Sequence, residues 1–289
     1  MKIRAPAKIN LYLRVVGKRR DGYHLIDTVM LPISLYDEIE IRKLKADRRR
    51  ARGAAPSITI TCDHPQVPAG KKNLVFRAAE LIMKTAQVEQ PVAIHIRKKI
   101  PVGAGLGGGS SDAAATLIAL NRLFRLGYAT RKLEKLGLAL GADVPFFIAK
   151  RPARARGIGE RLTPLTQFPG FWLVILYPGF PVSTAWAYGQ LRPKLTKSKV
   201  NTSITSSLRR FAKLRELLVN DLEAVTVAEY PRIGTLKERL RREGADGVLM
   251  SGSGSSVFGV FAARRKASRA FRRLKKDKGG QAFLVRVLN

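Results

Sequence analysis

The eleven residues from Pro101 to Ser111, PVGAGLGGGSS, hold five glycines directly ahead of an alanine-rich stretch. Backbone without Cβ atoms lets a ligand come close and lets several amides converge on one anion. A helix that follows such a loop adds its unpaired N-terminal N–H groups and the positive end of its dipole. Ser110 and Ser111 add hydroxyls able to donate to a phosphate or to help hold a phosphate-bound Mg2+. The chemistry this spacing predicts is the binding of a phosphate group.

Three familiar phosphate loops fit poorly. A Walker-type loop ends in Gly-Lys-Ser/Thr, and no lysine lies between Pro101 and Ser111. Gly103, Gly105 and Gly108 satisfy the dinucleotide spacing G-x-G-x-x-G, yet the region about 20 residues further on, GYATRKLE, lacks an acid closing a second strand. Protein-kinase loops share that spacing, but neither His-Arg-Asp nor Asp-Phe-Gly occurs in the chain.

Phosphoryl transfer to an alcohol needs a base near the hydroxyl and cations around the moving phosphate. Asp143 in GADVP and Lys8 in PAKIN have the right chemistry. Taken singly, Asp143 reads equally as a turn or cap residue and Lys8 as an exposed lysine. Tyr23 and His24 in DGYH read on their own as loop or core residues, and SGSGSS (251–256) as a hairpin turn between two apolar stretches.

Four segments change that balance by occurring in order between Ala5 and Phe261: PAKINLYL with DGYH behind it, GLGGGSSDAAA, LGADVPFF and MSGSGSSVFG. Together they resemble the GHMP kinase superfamily. The resemblance implies an α+β, two-domain fold, with a ribosomal protein S5 domain 2-like N-terminal domain over residues 1–160 and a ferredoxin-like C-terminal domain over 161–289. It implies ATP, carried with Mg2+, as phosphoryl donor. Pro101, Val102, Gly103, Ala104, Gly105, Leu106, Gly107, Gly108, Gly109, Ser110 and Ser111 would bind it, with Asn73, Leu74 and Lys98 near the nucleotide. Asp143 would accept the substrate's proton and Lys8 would stabilise the developing charge. Asn10 would line the site of transfer, Tyr23 and His24 would hold a cytosine, and Thr184 and Tyr188 in STAWAY would complete a pocket for an alcohol bearing cytidine diphosphate. SGSGSS would pack against the phosphate loop. Two alternatives stay open: another GHMP kinase, acting on mevalonate derivatives, homoserine or a sugar, against which DGYH argues, and a basic RNA-binding protein, which charge alone supports.

The elements that must position these residues are partly readable. Ile3 to Val16, VMLPISLYDEIEI and SITITC (57–62) have strand character, and PVAIHIRKKI reads as the strand feeding the glycine loop. Asn73 to Thr85 has helical spacing behind a capping asparagine. After the loop, Ala113, Leu117, Leu120 and Phe124 fall on one helical face. A short helix ends near Gly141, before the turn carrying Asp143. Beyond a composition shift at 155–170, FWLVILYP, GVLM and VFGVF read as strands, and Leu214 to Ala228 and IGTLKERLRREG as helices.

Composition bounds the rest. A 289-residue chain that is 45% hydrophobic can bury a sizeable core. One cysteine, Cys62, excludes an internal disulfide framework, and His24, His64 and His95 lack metal-ligand spacing, so no metal site is expected. No apolar run reaches the length of a membrane helix, and cytoplasm is the expected location. The net charge of +33, from 54 Lys and Arg against 21 Asp and Glu, exceeds what a metabolite needs. The excess concentrates at 41–53, 192–199, 207–216 and 263–278. Contact with nucleic acid is possible from this charge but is not expected to be functional, because such runs commonly form solvated faces.

Overall fold

The computed structural model describes residues 1–45, 57–165, 170–191, 216–276 and 280–288. It forms two compact units, each discontinuous in sequence. The first comprises Met1–Ala7, Tyr36–Val102 and Gly108–Lys150, and the second Lys8–Leu35, Gly103–Gly107 and Arg151–Asn289. Two long strands, β1 (Lys2–Lys18) and β2 (His24–Lys43), contribute residues to both. The segment from Val29 onward, read as having strand character, is part of one 20-residue strand that runs on through Pro32 and Asp37.

In the first unit, the Glu38–Lys43 end of β2 pairs antiparallel with β4 (Val92–Arg97), and β3 (Ile58–Cys62) pairs parallel with β4. Leu35, Ile39 and Ile41 are buried, and Asp37 occupies the inward position between them at 0% exposure. α1 (Leu74–Thr85) starts where its sequence predicts: Asn73 Oδ1 accepts from Val75 N at 2.8 Å. α2 (Gly108–Leu123) packs against α1 and against α4 (Val144–Ala149), and its residues Ser111 to Leu120 are all buried. Phe124 lies past the end of α2, half-buried, with the Lys43 ammonium 4.8 Å from its ring centre, so it does not extend the apolar face. α3 (Thr130–Leu138) precedes the turn that carries Asp143.

In the second unit, β5 (Ala153–Gly157) pairs with the Ile26–Met30 stretch of β2 and with β6 (Arg161–Pro164). A second sheet has the order β11-β7-β10-β9, antiparallel throughout, formed by β7 (Trp172–Tyr177), β9 (Gly247–Met250), β10 (Val257–Phe261) and β11 (Gln281–Arg286). α7 (Pro231–Arg242) and α8 (Arg264–Leu274) pack on it through Ile233, Leu236, Leu240, Ala267, Ala270 and Leu274.

The helix expected around Leu214 to Ala228 is interrupted, and Leu214 itself lies outside the described residues. Val219–Asn220 form β8, parallel to β1 at Tyr12 and Leu13, and the helix restarts as α6 (Glu223–Glu229). The Asn220 side chain donates to the Met250 and Gly252 carbonyls at 2.8 and 2.7 Å, bonds that a helical position would forgo. The mixed α+β class agrees with expectation.

Candidate active site

The glycine loop begins after β4 and ends in α2. Gly103, Gly105 and Gly107 adopt left-handed φ of 64°, 75° and 72°, a region that side chains with a Cβ resist. Gly105 also has no room for a side chain, since a Cβ would lie 2.0 Å from the Ser251 carbonyl oxygen. Four successive loop carbonyls each accept a hydrogen bond. Val182 N donates to Gly103 (2.9 Å), Ser256 N to Ala104 (3.2 Å), Ser251 Oγ to Gly105 (2.9 Å) and Lys8 N to Leu106 (3.0 Å). The amides of Gly103 to Gly107 have no backbone acceptor among the described residues. With its carbonyls tied back, the loop offers N–H groups to an incoming group, which is the polarity an anion requires.

α2 opens at Gly108, where a Cβ would lie 3.1 Å from both Lys98 Nζ and Ile100 Cγ2. Gly109 touches Leu74, at 3.7 Å from its Cδ1 to the position of a Cβ. The serine pair divides its work. Ser111 is buried and donates to the Pro6 carbonyl at 2.6 Å, so it fastens α2 to β1, and Ser110 is the hydroxyl of the two suited to a ligand.

Lys98 is not an open cation. Its ammonium lies 2.5 Å from Asp37 Oδ2 and 2.8 Å from Asp112 Oδ2, with the side chain 4% exposed. Asp37 Oδ1 accepts from the amides of Lys99 and Ile100, at 2.6 and 2.9 Å, and so shapes the bend that enters the loop. Asp112 sits one turn into α2, and its Oδ1 is buried without a hydrogen-bond partner. Burial pushes the Asp112 acid up to about 7, against the pull of Lys98 and with a further upward push from Asp37. Burial opposes the charge on Lys98, but Asp112 and Asp37 outweigh it and hold the ammonium above the usual lysine range. Asn73 is likewise engaged: besides capping α1, its Nδ2 donates to the Pro68 carbonyl at 2.9 Å.

In the second unit, β1 brings Lys8 and Asn10 to one side, two residues apart on a strand. Lys8 Nζ donates to Asn10 Oδ1 at 2.6 Å, and Lys8 is only 6% exposed, contrary to a solvent lysine. Asn10 Nδ2 donates to Thr28 Oγ1 at 2.9 Å, and Thr28 donates on to the Tyr12 carbonyl, a chain that fixes the amide's orientation. The SGSGSS turn meets both the loop and this strand, since Ser251 Oγ also accepts from Asn10 N at 3.4 Å. It is thus more than a hairpin turn.

α5 (Thr184–Gly189), capped by Ser183, carries Thr184 and Tyr188 one turn apart. Thr184 Oγ1 is 3.0 Å from Ser253 Oγ, and the Tyr188 ring stacks on His24 with centroids 5.1 Å apart and planes at 26°. Burial and then Lys18 push the His24 pKa below its ordinary value. Tyr23, next to it, is 61% exposed. In the first unit, Asp143 precedes α4, and its side chain does not cap that helix, which removes the cap reading.

The sequence reading missed Asp37, Thr28 and Asp112. Asp37 had a signal: an acid at the inward position of an otherwise apolar alternation.

Residues 73–151 match the GHMP kinases N terminal domain, and residues 203–280 match GHMP kinases C terminal. A protein of Citrifermentans bemidjiense named 4-diphosphocytidyl-2-C-methyl-D-erythritol kinase is 46% identical, over 100% of this chain and 99% of its own length. The chain belongs to the GHMP kinase family. A Syntrophus aciditrophicus family member of the same name is 44% identical with 100% of both chains covered. The crystal structure of a 4-(cytidine 5'-diphospho)-2C-methyl-D-erythritol kinase superposes with TM-score 0.82 at 36% identity, covering 100% of both chains. A homoserine kinase from Cytophaga hutchinsonii, at TM-score 0.76 and 19% identity over 100% of this chain and 94% of its own, shares the GHMP kinase fold. Among the described residues no helix is long and apolar enough to cross a membrane, and no group of three acidic, histidine or cysteine side chains is placed to hold a metal.

Proposed function

We propose that this GHMP kinase transfers the γ-phosphate of ATP to the C2 hydroxyl of 4-diphosphocytidyl-2-C-methyl-D-erythritol, a step of the non-mevalonate route to isoprenoid precursors. The observation that carries the phosphoryl-donor half of the reading is the loop at 103–107, with four carbonyls tied back and its amides without a backbone acceptor among the described residues. The stacked pair His24 and Tyr188 supports the cytidine half, because a flat base needs an aromatic platform and a mevalonate or homoserine does not. Full-length relatives of that name support the same substrate.

In this reading the amides of the loop and the first turn of α2 hold the triphosphate, and Asp143 takes the proton of the C2 hydroxyl as its oxygen attacks the γ-phosphorus. The bond from the γ-phosphorus to the bridging oxygen breaks and ADP leaves. Lys8, oriented by Asn10, stabilises the charge that gathers on the transferring group. Among the described residues no carboxylate cage is placed for a resident ion, and the Ser110 hydroxyl would be the side-chain group to meet a Mg2+ carried in on the nucleotide. Bound there, it would neutralise phosphate charge. Residues 1–160 and 161–289 are the two family domains in this reading. Its location is cytoplasmic, which the lone free Cys62 suits.

The test is Asp143→Asn, with ADP release coupled to a dehydrogenase assay across a panel of alcohols. Turnover should fall by roughly a hundred- to ten-thousand-fold while ATP affinity is kept. Near-normal turnover, or equal use of an alcohol without cytidine, would overturn the reading.

A further inference from the structure

The net charge of +33 is not absorbed by a site for one triphosphate and one diphosphate. Within the described residues it concentrates on α8. Every Arg and Lys from 264 to 276 is exposed, and no acid interrupts that stretch. The helix turns Ala267, Ala270 and Leu274 into the core, so Arg265, Arg269 and Arg272 form the opposite stripe at helical spacing, with exposed Lys275 and Lys276 just past the helix end. Within the helix that stripe runs about 10 Å at 1.5 Å per residue. Among its neighbours Arg273 pairs with Glu243 at 3.3 Å, and Arg264 lies over the Trp172 ring at 5.3 Å.

A solvated face commonly mixes both signs; this one does not. The stripe is too long for a single metabolite anion and calls for a ligand with phosphates repeated along it. A membrane surface fits poorly, since a lipid-bound amphipathic helix inserts its apolar side, and α8 has already buried that side in the protein. Single-stranded nucleic acid fits poorly too, because no aromatic ring on the outward stripe offers a stacking platform. A duplex backbone needs only cations at phosphate spacing, and Arg matches phosphate oxygens two at a time.

We propose that the outer face of α8 docks on the phosphate backbone of duplex nucleic acid, without reading sequence. The docking is independent of the kinase reaction.

The experiment uses the full chain and fluorescein-labelled 20-base-pair duplexes of RNA and of DNA, with anisotropy read from about 50 to 300 mM KCl. Two triple variants are compared: Arg265→Gln/Arg269→Gln/Arg272→Gln on α8, and Arg131→Gln/Lys132→Gln/Lys135→Gln on the exposed side of α3, which removes the same charge elsewhere. The α8 variant should bind at least about tenfold more weakly at 100 mM KCl, with a slope of log affinity against log salt shallower by about 2 to 3, and the α3 variant should bind like the parent. RNA and DNA arms show which duplex is preferred, and either preference is consistent with backbone docking. Circular dichroism and ADP release should match the parent in both variants. Equal loss in both triples would mean bulk charge alone, and tighter binding to vesicles of phosphatidylglycerol than to either duplex would mean a lipid surface. Each of these results, or no binding by the parent chain, overturns the proposal.

Discussion

The Lys98 ammonium lies 2.8 Å from Asp112 Oδ2, so the residue that enters the glycine loop is bonded to a residue one turn into the helix that leaves it. Asp37 completes the buried group at 2.5 Å and holds the bend between them. Removing one member of a buried ion group is costly because it strands the others without compensation. Lys98→Met should therefore lose about 3–5 kcal/mol of unfolding free energy in urea. Asp112→Asn, which leaves one cation against one carboxylate, should lose clearly less. A Lys98→Met protein as stable as its parent would show that the two carboxylates do not depend on this cation.

The same group predicts a pH dependence. The Asp112 acid titrates at about 7 in the folded chain against a reference of 3.8. Burial, with Asp112 Oδ1 left without a hydrogen-bond donor, is the main cause of that rise. A folded pKa above the unfolded one means that the native state binds more protons between these values. The contribution of this group to stability is then complete below about 3.8 and is lost as pH rises through about 7. Urea unfolding of the parent and of Asp112→Asn, compared at pH 5 and pH 8, should show the difference between them narrowing or reversing in favour of the variant at pH 8. A constant difference across that range contradicts the assignment.

Gly105 combines a φ of 75° with a site where a Cβ would meet the Ser251 carbonyl oxygen at 2.0 Å. Gly105→Ala must therefore move the loop, the SGSGSS turn or both. Backbone strain of this kind costs about 1–3 kcal/mol, and the displaced amides lose their convergence. Titration calorimetry should show nucleotide affinity reduced at least about tenfold, consistent with that range. Unaltered affinity would separate the loop's conformation from nucleotide binding.

How much of this is legible in the sequence differs between elements. α1 is readable from Asn73 because capping is local: the side chain and the amide it satisfies are two residues apart. The glycine loop is readable for the same reason, since positive φ needs glycine at the position itself. The roles of Lys98 and Ser111 are not. Lys98 owes its burial to Asp37, 61 residues away, and Ser111 owes its partner to Pro6, 105 residues away, and neither relation leaves a local trace. β8 escapes a sequence reading because Val219–Asn220 is a strand only by pairing with β1, against the helical content around it. α8 reads as a bare basic run because charge masks the small residues, Ala267 and Ala270, that form its inner face.

Tyr188 and His24 come from α5 and the start of β2, and their rings stack at 5.1 Å; in the proposed function they serve as the aromatic platform for the cytosine. Base stacking on an aromatic ring is worth about 1–3 kcal/mol, or roughly 5- to 150-fold in affinity. Tyr188→Ala should raise KM for the cytidine substrate within that range and leave KM for ATP unchanged, and Tyr188→Phe, which keeps the ring, should restore most of the loss. Burial and Lys18 lower the His24 pKa, so the imidazole is neutral at pH 7 and gains its proton only below the ordinary histidine value of 6.5. KM for the cytidine substrate should then stay flat from pH 8 to pH 6.5 in the parent. If Tyr188→Ala leaves both KM values unchanged, or if Tyr188→Phe is as impaired as Tyr188→Ala, the base does not rest on this pair.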